Sequence, residues 1–204
     1  MLAFLPSLTS LRRRAGNFRR QQNGGMLIEF AFALPILVTL TLGTVNTALF
    51  ILLHQRMDRA SSSVADLVSQ PEDVTHAHVE LSFDAADHLF GDLFDLGANG
   101  HIIVTSVRGG TTANPPPRVN FQVHMDCNGS AHTSQIGPSP EGSEATLPNG
   151  LTLQPGESVI IAEVFYEYEP MFFGDLIDGG TQYHVAVRRP RLGSGTLAGG
   201  ITCS

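Results

Sequence analysis

Three groups of residues have types and spacing that suit chemistry. The first is NGGMLIEF, Asn23 to Phe30, where Gly24 and Gly25 precede Glu29 and Phe30 at the mouth of a long apolar run. A glycine lets another protein's groove approach the backbone closely. A carboxylate entering an apolar helix is costly to bury and marks a functional position. The bland alternative is a headgroup-level glutamate held by the helix dipole. The second group is the His76-x-His78 pair, with Asp84 and Asp87 following. It suggests a metal site, but there is no HExxH motif and no Cys/His cluster, and surface histidines explain it as well. The third is Cys127 and Cys203. They form no CxxC and lack neighbouring ligands. They are either two free thiols or, in an oxidising compartment, one disulfide worth about 4 kcal/mol. No GxSxG elbow, P-loop or EF-hand loop is present.

The elements that position these groups begin with the charge-free run from Phe30 to Leu53. About 20 residues at ~1.5 Å each cross a hydrocarbon core, so this run can span a membrane. It is too long for the apolar region of a cleaved secretory signal. All five charges before residue 25 are arginines (Arg12, Arg13, Arg14, Arg19 and Arg20), whereas the remainder holds seven arginines and all 19 acids. The basic side stays in the cytoplasm and the acidic body is expected outside. An acidic body also argues against nucleic-acid binding. Pro35 crowds the carbonyl of Ala31 and is expected to kink the helix. Thr39, Gly43, Asn46 and Phe50 share one face, suited to close helix–helix packing or simply typical of membrane helices.

The helix is expected to continue through HQRMDRASSSVADLVSQ and stop before Pro71. A second helix is expected from about Val74 to Leu96, with Ala86, Leu89, Phe90, Leu93 and Phe94 as its apolar stripe. Strands are expected at 101–108, 118–126, 158–169 and 181–189. In the second, Val119, Phe121, Val123 and Met125 alternate onto one face. In the third, Ile160, Ala162, Val164, Tyr166 and Tyr168 do so, and Arg188 can oppose Glu163 or Glu167 on the polar side. Residues 109–118 and 128–150 are loops, the second either mobile or a contact surface. RLGSGTLAGG, 191–200, is expected to be a flexible tail. These elements give an α+β fold: a long N-terminal transmembrane helix, then a small antiparallel sheet with a second helix.

The string GGMLIEF resembles the processing site of bacterial type IVb pilins and pseudopilins: a glycine, four residues, then Glu-Phe and an apolar helix. The continuation EFAFALPILVTLTLG is similar to the TadE/TadG-like proteins of tight-adherence (Flp) pilus systems, with Pro35 and Gly43 in place. VIIAEVFYEYEPMF, Val159 to Phe172, is loosely similar to a later family segment. The chain is too long for a major Flp pilin and lacks the Asp-x-Ser-x-Ser motif of members with a metal-binding domain. The resemblance therefore implies a pilin-like, TadE- or TadF-type minor pseudopilin with no cofactor and no catalytic role. It implies a leader, 1–24, cut by a prepilin peptidase between Gly24 and Gly25, a helix over 25–70 and a periplasmic domain over 71–204. It also implies other pilins, membrane lipid and an inner-membrane assembly platform as partners. Glu29, fifth in the mature chain, would receive a neighbour's new amine. An uncleaved membrane-anchored binding protein, or a metal enzyme through His76 and His78, are the alternatives.

Overall fold

The structure, a computed structural model, describes residues 23–110, 116–125, 132–139, 141–172, 174, 179–193 and 195–198. The expected leader, but for its last two residues, and both cysteines lie outside these residues. Helix α1 covers Asn23–Ser69 and continues through Pro35. It stops two residues before Pro71, as the restricted backbone ahead of a proline requires. Then come β1 (Val74–Thr75), α2 (His76–Phe90), the short α3 (Leu96–Asn99), β2 (Gly100–Arg108), β3 (Arg118–His124), β4 (Ser158–Tyr168), β5 (Gly180–Arg188) and β6 (Leu197–Ala198). The fold is α+β. The chain divides into two compact units, one up to Thr47 and one from Ala48 onward.

In the first unit α1 is apolar all round, and Met26, Phe30, Phe32 and Ile36 are all more than half exposed. A helix of that kind is stable only when a nonpolar medium or other helices cover it. It is long and apolar enough to cross a membrane. Its threonines leave no hydroxyl unpaired: Thr39, Thr41, Thr44 and Thr47 each donate to the carbonyl four residues back, at 2.7–2.9 Å. Unpaired hydroxyls in hydrocarbon would cost several kcal/mol each, so these threonines suit a lipid-facing helix.

In the second unit two helices pack on one face of a four-stranded antiparallel sheet of order β3-β2-β4-β5. Leu53, Met57, Ala60, Val64 and Val68 of α1 recur every three or four residues and are fully buried. Val79, Phe83, Ala86 and Phe90 of α2 join the same core. So do Ile160, Ala162, Val164, Tyr166 and Tyr168, the five residues expected on one face of β4.

Four expectations need correction. The second helix is shorter than 74–96. Thr75 caps its start by accepting from the His78 amide, and Gly91 at φ +62° ends it. Leu89 and Leu93 are consequently left exposed at 40 % and 51 %, outside the stripe. In β3 a bulge opposite Ser106 and Val107 changes the alternation. Phe121 and Val123 face the helices, while Val119 joins Val107 in a separate cluster on the opposite face. Arg188 pairs in register with Ile160 and so lies on the other face from Glu163 and Glu167.

Lastly, the described part of 191–200 is not a loose tail. The Arg191 amide donates to Ser69 O, the Gly195 carbonyl accepts from Ser106 and Asn120, and β6 pairs in parallel with β1. A Cβ on Gly193 would lie 1.9 Å from Glu72 O. Gly193→Ala is expected to destabilise the domain by about 2 kcal/mol, a typical overpacking cost, read from the thermal midpoint of the full chain in micelles.

Candidate functional site

Two places carry the chemistry. The first is the start of α1. Gly24, Gly25, Glu29 and Phe30 sit within its first turns, and all four are exposed. A Cβ at Gly24 or Gly25 would meet nothing within 4 Å. Among the described residues, then, no packing contact requires glycine at either position. Glu29 projects from a helix whose neighbours Met26, Leu27, Ile28 and Phe30 are apolar and exposed. Along the same helix Gly43 also has nothing within 4 Å, leaving room for another backbone. Asn46 is 4 % exposed.

The second place is the sheet face away from the helices, which the segment from His132 to Leu153 covers. Ile136 and Ala145 are buried there with Val107, Val119, Val159 and Ile161. The described part of 128–150 is therefore an internal cover, a third alternative to a mobile or contact-making loop. A buried carboxylate anchors it. Glu163, on β4, is fully buried. It accepts hydrogen bonds from the Ser134 hydroxyl, from the Gln135 amide at 2.9 Å and from the Tyr183 hydroxyl at 3.0 Å. Burial pushes its carboxyl above the ordinary carboxylate value, and the three hydrogen bonds work against that rise. Burial raises Tyr183 too, reinforced by the neighbouring Glu163 charge.

A neutral polar chain runs beside it. His101 Nε2 and His124 Nδ1 are 3.3 Å apart, and His124 Nε2 lies 3.3 Å from Gln122 Oε1. Gln122 Nε2 donates to Thr105 Oγ1 at 3.0 Å and to Gly137 O at 3.2 Å. These contacts are mutually consistent when both imidazoles are neutral and protonated on Nε2. Burial lowers the His124 value, which favours that state. Glu163 thus holds the cover at residues 134–135, and Gln122 holds it at Gly137.

The sequence pattern places Glu163 on the polar side of its strand, opposite Arg188, and does not reveal this anchor. The signal was available. SVIIAEVFYEY is apolar on both faces of the strand, so a lone acid at its centre has no water to face.

The histidine pair separates. His76 is buried, with Nδ1 3.4 Å from Glu80, whereas His78 is exposed, with Nδ1 3.1 Å from Thr75 Oγ1. Residues two apart on a helix point to different sides. Among the described residues, no three His, Cys, Asp or Glu side chains are arranged to hold a metal.

The family model described as TadE-like protein matches residues 24–66, about a fifth of the chain. That match is consistent with a TadE/TadG-like pilus assembly protein. No curated protein and no solved structure matches the chain.

Proposed function

We propose, from the TadE-like segment at residues 24–66, that this chain is a minor pseudopilin of a tight-adherence (Flp, type IVb) pilus, processed between Gly24 and Gly25. The observation that carries the reading is where that segment begins. It starts at Gly24, the glycine the processing motif would cut, and it runs along α1 as far as Asp66. The arginine-rich residues before it hold the leader at the anionic cytoplasmic leaflet, each worth about 1 kcal/mol near the surface. A prepilin peptidase then cuts beside an unhindered backbone. The chain remains a single-pass inner-membrane protein with residues 71–204 in the periplasm. Its partners are the assembly platform and other pilins.

Cleavage releases an α-amine on Gly25. In an assembly of α1 helices, Glu29 receives such an amine from a neighbouring subunit. Desolvation offsets much of that pair's attraction, so its main effect is on register: a misaligned neighbour leaves a carboxylate unpaired in an apolar bundle. The open face at Thr39 and Gly43 lets helices approach closely, whereas Asn46, expected on that face, is already buried within the chain. N-terminal sequencing of the protein made alongside a prepilin peptidase tests the reading. A start at Gly25 supports it. A retained Met1 leader supports the rival reading, an uncleaved anchored binding protein. Glu29→Gln is expected to leave cleavage intact while lowering cross-linked yield with other pilins at least tenfold, about 1.4 kcal/mol. Unchanged cross-linking and piliation would remove Glu29 from the proposal.

A further inference from the structure

The fold divides the charge-free run that ends at Leu53. Most of its last residues are drawn into the core: Leu53 is fully buried, and Phe50 and Leu52 are partly buried against the same core. The Phe50 ring lies 5.3 Å from that of Tyr168. From Phe30 to Thr47, the end of the first unit, roughly 18 residues remain, about 27 Å of helix at ~1.5 Å each. A hydrocarbon core is ~30 Å thick, so the stretch is slightly short. A short span is met by thinning the bilayer, or by apolar groups flanking the helix that settle into the interface.

Within the second unit such groups lie beside Leu49 of α1. Leu49, Leu93, Phe94, Tyr166, Tyr168 and Met171 line one open depression. Leu93 and Met171 are 51 % and 65 % exposed, and Ile51 on α1 is 50 % exposed. Leu49 is two residues beyond Thr47, so about 3 Å of helix separates it from the end of the span. Tyr166 and Tyr168 are buried behind this depression, so the groups free to meet an interface are the exposed apolar side chains of Leu93 and Met171. Glu167 and Glu169 line the same depression. Their charge disfavours recognition of anionic headgroups, so the contact is apolar.

We propose that this rim, Leu49, Leu93 and Met171, is seated in the interfacial layer of the membrane that α1 crosses, and so fixes the depth of the helix and of Glu29. The inference rests on the membrane reading of α1. A second exposed apolar group, Leu67 and Leu81, provides a comparison. Leu67 is ~27 Å farther along α1 than Leu49 and lies clear of the bilayer.

The chain contains no tryptophan, so a single introduced one reports alone. The full chain carrying Val38→Trp, Leu93→Trp, Met171→Trp or Leu81→Trp is placed in phosphatidylcholine vesicles brominated at shallow or deep acyl positions. Val38→Trp is expected to be quenched most by deep bromines. Leu93→Trp and Met171→Trp are expected to be quenched by shallow bromines, at least about twofold more than Leu81→Trp. If both rim reporters match Leu81→Trp while Val38→Trp is quenched, the rim proposal is overturned and the span stands. If Val38→Trp is not quenched, the membrane reading fails and the rim proposal falls with it. Met171 is mostly exposed, so its replacement leaves the core intact even if that of Leu93 does not.

Discussion

Gly24→Leu is expected to abolish processing, leaving the full precursor with Met1 at its N-terminus when the protein is made alongside a prepilin peptidase. The expected loss is at least a hundredfold in cleavage rate, about 2.7 kcal/mol in the barrier. The structure makes this result interpretable. A Cβ at Gly24 would meet no atom of the described residues within 4 Å. The substitution therefore does not strain the fold, and any effect arises in the peptidase groove. Leucine also favours helix more than glycine does, so α1 gains local stability. Gly24→Ala, which adds one methyl group, is expected to be cut more slowly but not blocked. Efficient cleavage of Gly24→Leu at the same bond would refute the proposed role of Gly24.

Glu163→Ala is expected to lower the stability of the second unit by about 3 kcal/mol, because three part-buried donors then lose their acceptor at ~1 kcal/mol each. They are the Ser134 hydroxyl, the Gln135 amide and the Tyr183 hydroxyl. Loss of the anchor should also expose residues 132–139 to protease. Glu163→Gln is expected to behave oppositely. Its carbonyl keeps the Gln135 and Tyr183 bonds, its amide can donate to the Ser134 oxygen, and no charge is buried.

The pH dependence separates the variants further. Burial raises the folded-state carboxyl above its ordinary value of 4.5. The folded protein then holds the proton more tightly than the unfolded chain does. The contribution of Glu163 is complete below the ordinary value and is lost as pH rises through the raised one. The titratable group shown facing it is Tyr183 on β5. His132 sits 3.7 Å from Glu167. Glu163→Gln should remove the fall in stability above pH 4.5 that Glu163 causes. Thermal unfolding of the full chain in micelles from pH 4 to 8, followed by near-ultraviolet circular dichroism, measures both effects. An unchanged slope in Glu163→Gln would place the buried charge elsewhere.

How much of this was legible varies with the range of the interactions involved. The start and membrane character of α1, its stop before Pro71 and the four strands follow from local pattern: an uncharged run, a proline, and alternation with period two. Those signals need no knowledge of what packs where. The end of α2 was misplaced because Leu89 and Leu93 extend the apolar stripe on paper, while Gly91 at φ +62° turns the backbone away. The face of Val119 was misplaced because a bulge depends on pairing with β2, and one extra residue reverses alternation on either side of it. The partner assigned to Arg188 failed for a similar reason, since register is a property of two strands.

By itself, then, the sequence determined the motif on which the proposed processing rests: Gly24 and Gly25, Glu29 four residues on, and behind them an apolar helix long enough to cross a membrane. Each depends on residue type at fixed spacing along one helix, and such spacing is local. Tertiary structure alone decided the fate of three of the run's last residues, Phe50, Leu52 and Leu53. Their hydropathy matches that of the span, yet core packing removes them from lipid. It also decided that Glu163 is a buried anchor. A carboxylate reads as polar wherever it stands in a sequence, and only the chain that closes over it, through Ser134 and Gln135, takes it out of water.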